Sequence, residues 1–466
     1  MAAKPPLLIA HCRQLLTLRP RNLTMRRNAA CLLALLSLCL PGCRPARQEA
    51  EVIEWMRQNA IPLATVEAGH GFDDMQPLKA VIGDARIVAL GESTHGTREI
   101  YQLKHRMLEF LANEMGFTLF GFESPWPEGL ALNDYVLHGK GDPVELLRRA
   151  VFGVFYSQEV FDTIEWMRQY NERVPPEGRV QFCGIDLRGT RTAARVVTDY
   201  LRKVDPDYAA RLEPTLQLLR KKEIEPIYSG WPPRGEPPDP EEMAKVDKDV
   251  PGLFHRFFLK QAEYIARSSE PEWRLARHHA RIMFQTAEVY RKNAWPLRDL
   301  YMAANVEWIL NQEPPGSKMV LSAHNGHVSF GEFQTGAAMG HHLKKKFGSG
   351  VVVFGFAFHQ GAFRGTDFRK KAKRRGALTT FTVEPAPDDS LDAVLAKVGF
   401  PIFVLDLRKA PQPVAEWFQQ ERRTREVGGG IVEGQSMFRK LPVGDHYDAL
   451  IFIDTTTALR PGPPRR

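Results

Sequence analysis

Six side chains able to move protons or hold charge stand at the same kind of place in this sequence, directly after a short apolar run. RIVAL (86–90) leads into Gly91-Glu92-Ser93-Thr94-His95-Gly96, and FTLFGF (117–122) leads into Glu123. VQFCGI (180–185) leads into Asp186, and KMVLSA (318–323) leads into His324-Asn325-Gly326-His327. Three chemistries use such groups. In the first, His95 is a general base held by Glu92 and activates water toward an ester carbonyl, while His324 or His327 stabilises the oxyanion or protonates the leaving alkoxide. In the second, the histidines and carboxylates ligate zinc or manganese, although Glu92-x-x-His95 lacks the spacing of the helical HExxH pattern. In the third, Ser93 is a covalent nucleophile, but Gly91-Glu92-Ser93-Thr94-His95 has histidine where the G-x-S-x-G elbow needs its second glycine. A binding protein is the rival of another class: the same cluster would hold a metal or other ligand without turnover. Asp186 also suits a local role, bonding loop backbone or Arg188.

The elements that must position these residues follow from the pattern between them. Each apolar run reads as one buried strand. Thr97–Met115 places Ile100, Leu103, Met107, Leu108 and Leu111 at helical spacing, and Gly116 stops it. Strands alternating with helices predict βαβ units and a parallel sheet, whose ligands bind at the carboxyl ends of the strands. The expected fold class is α/β: a parallel-sheet main domain over 51–190 and 311–365, with a helical insertion over 191–310. Strand signals at Leu378–Val383, Pro401–Leu405 and Leu450–Ile453 predict a smaller C-terminal α/β lobe over 366–455, followed by a disordered tail over 456–466. The proline-rich Trp231–Pro240 reads as a loop within the insertion.

Composition excludes other classes. With 43% hydrophobic and 25% charged residues, the chain is neither mainly disordered nor a polytopic membrane protein. Its formal charge of +8 suggests a nucleic-acid partner, but six of the basic residues lie in 1–42, where there is no acid at all. The rest is nearly neutral, so no nucleic acid is expected. That leader has the order of a signal peptide: Met25-Arg26-Arg27, the apolar run Ala29–Leu40, then Pro41-Gly42-Cys43. Residues 1–24 read as upstream of the true start, at Met25. The apolar run is shorter than the ~20 residues a bilayer span needs. Residues 1–43 are therefore expected to direct export, with Cys43 lipidated as the membrane anchor and simple secretion as the alternative. Four of the five cysteines lie in this leader, which leaves Cys183 as a free thiol. The basic runs Lys344–Lys346 and Phe368–Gly376 read as solvated faces.

GESTHGTRE, FESPW, the stretch ending in WMRQYN, GIDLRG, RDLYMAANVEW, AHNGHVSFG and VFGFAFHQGAFRG together resemble the erythromycin esterase family, from about Glu51 to Asp454. The resemblance implies hydrolysis of a small-molecule ester or macrolactone by a histidine-activated water, without a metal or other cofactor. By that match His95 is the base, Glu92 and Glu123 orient it or the water, and His324 and His327 complete the site. Arg298 is implied as an anion or oxyanion partner; a surface salt bridge with Asp299 or Glu307 is its other reading. Lys104, Asp186 and Trp126 are expected to contact substrate. For Trp126, with Phe155 and Tyr156, core packing is the other reading.

Overall fold

Ile87, Val88, Ala89 and Leu90 are all fully buried, and their side chains alternate between two apolar cores, one on each face of a sheet. A strand apolar on both faces belongs at the centre of a covered sheet. That is where it lies in the computed structural model, which describes residues 43–151, 153–225, 239–333, 336–369, 372 and 376–464. The strands used here are β1 (Ile87–Leu90), β2 (Phe117–Pro125), β3 (Gln181–Asp186), β4 (Lys318–Ser322), β5 (Val351–Asp367), β6 (Leu378–Val383), β7 (Ile402–Asp406) and β8 (Ala449–Thr456). The ten-stranded sheet runs β7-β8-β5-β1-β4-β2-β3 along its main path, with Ile61–Pro62 outside β7. From β8 to β3 all pairings are parallel, and β7 is antiparallel to β8. β6 and Gly430–Ile431 pair with the far half of β5.

Helix α1 (Arg98–Met115) covers one face of the sheet with Ile100, Leu103, Met107 and Leu111, and ends at Gly116 in the left-handed conformation. α2 (Trp126–His138) follows β2 directly. Between Thr190 and Leu310 the described regular structure is all helical and includes α3 (Thr190–Val204), α4 (Glu270–Lys292) and α5 (Trp295–Leu310). α3, α4 and their neighbours share a core of their own, whereas Met302, Val306 and Ile309 of α5 return to the second face of the sheet.

Two expectations differ from this picture. The strands assigned to a separate C-terminal lobe are β6, β7 and β8, and all three join the main sheet. Burial explains it: Phe403 and Val404, like Leu450 and Ile451, are covered on both faces, so neither strand is free to build a lobe. The tail is ordered as far as residue 464. Leu459 is buried and its N–H donates to Gly96 O, while Arg460 Nε bonds to the buried Glu159 at 2.7 Å. The leader and most of the proline-rich loop and of the basic run 368–376 lie outside the described residues.

Register brings the strand ends level. Leu90 of β1 and Phe122 of β2 both stand opposite Ser322 of β4, and Phe122 also stands opposite Gly184 of β3. Glu92, Glu123, Asp186 and His324 therefore leave the sheet along one edge. A register shift in β2 between Phe122 and Pro125 re-aims the residues there, Glu123 among them.

Candidate active site

The first half of the site grows from the turn after β1. A Cβ at Gly91 would stand 2.2 Å from Asn325 Oδ1, so only glycine lets this turn pass beneath the 324–328 segment. Glu92, fully buried, then meets His95 Nδ1 with Oε1 at 2.6 Å. Its Oε2 accepts from Lys104 Nζ, and that ammonium also reaches Ser322 Oγ at 3.0 Å. Burial alone would raise the Glu92 carboxyl, but Lys104 and His95 hold it down to about 2. An ionised Glu92 fixes Nδ1 of His95 as the donor and leaves Nε2 with a lone pair. The His95 ring packs against Phe155 at 4.7 Å and His324 at 5.1 Å between centroids, with 14% of its side chain open to solvent.

The second half is built around Arg298 of α5. Its guanidinium bonds Asp186 through Nε at 3.1 Å and Nη2 at 2.8 Å, and Glu123 Oε1 through Nη2 at 3.0 Å. This bidentate cation holds Asp186 below its usual range, and with His327 it holds Glu123 well below, against the burial of both. Glu123 Oε2 accepts the backbone N–H of His324 at 3.1 Å. His327 Nδ1 contacts Asp299 Oδ1 at 2.7 Å, and its Nε2 lies 3.4 Å from Glu123 Oε1. Burial opposes its charge, but Asp299 and Glu123 push His327 up to about 10. Its Nε2 also stands 3.0 Å from Arg298 Nη1, a contact that favours the neutral ring. Two carboxylates outweigh that one contact and hold the ring as the imidazolium.

His324 is the opposite case. Its Nδ1 accepts from Gly326 N–H at 3.1 Å, so the proton sits on Nε2, which faces Val427 O at 3.3 Å. Burial and the neighbouring His95 depress it to about 3, so the ring is neutral. Beside it lies Glu426, a residue the sequence pattern does not single out. Its Oε1 accepts from Asn325 Nδ2 at 2.7 Å, its Oε2 stands 3.6 Å from His324 Nε2, and burial raises the carboxyl to about 8. Glu426 follows the short strand Arg422–Arg425, whose charged sequence gives no apolar run, so only the Arg425-Glu426-Val427 charge pair before a run of three glycines marks it in the sequence.

The structure thus brings Glu92, His95, Glu123, Arg298, His324 and His327 together, and it changes the expected part of three other residues. Lys104 is 2% exposed and spent on Glu92 and Ser322, so it orients a carboxylate and does not reach substrate. Asp186 is fully buried beneath Arg298. Trp126 points away from the rim, its ring packed against His278, His279 and Trp308 at 4.3, 4.8 and 5.4 Å between centroids. Arg298 is buried among site carboxylates, so the surface salt-bridge reading does not apply. Ser93 Oγ is buried with no hydrogen-bond partner among the described residues, so no base activates it. Among the described residues no group of three or more His, Cys, Asp or Glu is arranged to hold a metal ion.

Comparison with known proteins agrees with the fold and extends it. The profile described as erythromycin esterase matches residues 112–456; the Glu92–His95 loop precedes that span and is brought to the site by the sheet. Erythromycin esterase type II of Escherichia coli is 23% identical over 379 residues, 77% of this chain and 89% of that protein. A crystal structure titled as a succinoglycan biosynthesis protein is 28% identical, covers 88% of this chain and 98% of that one, and has a TM-score of 0.73. A mutant erythromycin esterase in its open conformation shares the fold at 18% identity and a TM-score of 0.65, over 83% of this chain and 94% of that one. With three quarters of its length matched by the profile, this chain belongs to the erythromycin esterase family.

Proposed function

We propose that the protein is a hydrolase that opens an ester or lactone with a water activated by His95, without a metal. The observation that carries this reading is the Glu92–His95 contact at 2.6 Å, beside a second, cationic half-site. His95 Nε2 takes a proton from water as the hydroxide oxygen attacks the carbonyl carbon. The tetrahedral oxyanion forms near the His327 imidazolium and the Arg298 guanidinium, which stabilise developing negative charge. A histidine held near pKa 10 is a reluctant acid, so His327 acts by charge, and the His95 imidazolium returns its proton to the leaving alkoxide. The C–O bond breaks and the products are a carboxylic acid and an alcohol. Lys104 and Arg298 supply the positive charge against which Glu92, Glu123 and Asp186 are ionised, the part a metal cation would otherwise fill; this supports the metal-free reading.

The test is a mass-spectrometric screen of the purified protein against macrolactones and simple esters, with and without a chelator. The expected result is a gain of one water that survives chelation. Loss of activity on chelation would move the histidines to metal binding, and no turnover with any substrate would favour the binding protein.

We also propose that the protein is exported and anchored at the bacterial cell envelope through lipidated Cys43. The support is the leader pattern ending in Leu40-Pro41-Gly42-Cys43. Cys43→Ser should move the protein from the membrane to the soluble fraction; unchanged retention would contradict the anchor.

A further inference from the structure

Beyond the ends of β2 and β3 lies a cavity of about 520 Å³ that the proposed reaction does not use. Five arginines line it: Arg148, Arg149, Arg188, Arg191 and Arg195. Three are partly offset. Arg148 bonds Glu145, Arg191 bonds Glu223 at 2.9 Å, and Arg188 lies 3.6 Å from both Asp186 and Glu225. Arg149 and Arg195 have no ion pair or hydrogen bond among the described residues. Glu128, a further acid of the wall, offsets them only in part. Its Oε2 has no hydrogen-bond partner among the described residues, and burial with Glu223 nearby pushes it up to about 7 against the opposing pull of Thr192 and Arg149.

The result is a cavity with surplus positive charge and guanidinium forks whose geometry suits carboxylate and phosphate oxygens. The first turn of the 15-residue α3 also lines it through Thr190, Arg191 and Thr192, which adds the positive end of a helix dipole. It adjoins the catalytic rim. Asp186 is held bidentately by Arg298 of the rim and approached by Arg188 of the cavity, and Pro125 of the wall stands two residues after Glu123.

We propose that this cavity is the subsite for an oxyanion group, carboxylate or phosphate, carried by the substrate, so that the protein acts on an anionic ester. The proposal rests on the hydrolase reading and sharpens it by naming the substrate class. No residue of the cavity enters the bond-breaking steps; the cavity holds the remote anionic end while the rim hydrolyses the ester.

Two arms test it. In the first, kcat/KM is measured for p-nitrophenyl butyrate and for the mono-p-nitrophenyl ester of succinate, in the wild type and in Arg149→Ala/Arg195→Ala. Both arginines are solvent-exposed, so the double variant should fold. The expected result is a wild-type preference for the succinate ester of at least ~10-fold, with the ratio falling toward one in the variant. A wild-type ratio near one, or a ratio the double variant does not change, overturns the proposal. In the second arm, inorganic phosphate and succinate are titrated calorimetrically into both proteins, which distinguishes a phosphate from a carboxylate preference. Binding weakened at least ~10-fold in the variant supports the subsite, and absence of binding to the wild type overturns it. If neither ester is hydrolysed, the hydrolase reading is decided by the wider screen of macrolactones and esters, and the titration decides the cavity.

Discussion

Glu92 and Glu426 are both buried carboxyls beside a histidine of the same site, yet one is ionised down to about pH 2 and the other stays neutral up to about pH 8. The difference is the cation. Lys104 touches Glu92 directly, and Arg298 does the same for Glu123 and Asp186, whereas Glu426 touches the Asn325 amide and a neutral His324, and the pull of Arg439 does not overcome its burial. In a buried site, fixed positive charge decides which carboxyls are ionised. The two histidines follow the same rule: His327, between two carboxylates, is held charged, and His324, lacking such a pair, is held neutral.

Removing a cation from the compensated side should have the largest effect. Arg298→Ala leaves Glu123 and Asp186 buried without their partner and should destabilise the fold by ~3–5 kcal/mol, read as a fall in the urea midpoint. Stability within 1 kcal/mol of wild type would show that the carboxylates find another partner or a proton. Lys104→Met should cost less, because it uncovers one carboxylate and not two. Glu92 should then take up a proton and release His95, lowering kcat on the order of 100-fold at neutral pH. Near-wild-type turnover by a folded Lys104→Met would separate Lys104 from the mechanism.

The uncompensated side should show a gentler, pH-dependent effect. Glu426 binds its proton more tightly in the folded than in the unfolded state, so folding stability should fall as pH rises from 4.5 through about 8. The slope is at most about 1.4 kcal/mol per pH unit. Glu426→Gln keeps the amide contact and should remove that loss. What remains should be the decline from Asp392 and Glu128, raised to about 6 and about 7, and from His327, whose contribution is complete below 6.5 and lost as pH rises toward about 10. Equal pH profiles of wild type and variant would mean that Glu426 is already ionised. The smallest effect should come from Arg460→Ala, which removes one partner of the buried Glu159 while Arg98 stays at 3.7 Å. A loss of about 1 kcal/mol is expected in thermal unfolding, and none would mean that the Arg460–Glu159 pair adds nothing to stability.

These contrasts also explain what the sequence made legible. The rim residues were readable because each follows an apolar run, and a parallel sheet delivers its strand ends to one edge. Arg298 entered only through its motif, since nothing in a helical stretch tells a buried guanidinium from an exposed one. Lys104 reads as a substrate contact because spacing shows proximity and not which side chains neutralise each other. For Asp186 the local reading holds, with Leu187 N–H donating to it at 2.8 Å and Arg188 at 3.6 Å, but spacing does not reveal Arg298 as its bidentate partner. Trp126 next to Glu123 looked like cleft lining, yet the histidines and Trp308 that cover it come from helices more than 140 residues away. Glu426 is not legible because the strand it follows, Arg422–Arg425, is charged and gives no apolar run to mark its end. The C-terminal strands read correctly as strands, but their apolar runs do not say which sheet they join.

The central claim is that His95, oriented by an ionised Glu92, supplies the base. The measurement that tests it most directly is the turnover of His95→Ala on whichever ester the wild type hydrolyses, with and without added imidazole, on protein whose circular dichroism matches wild type. The account predicts a loss of at least ~10³-fold that free imidazole partly restores. Retention of near-wild-type turnover by the folded variant would contradict it.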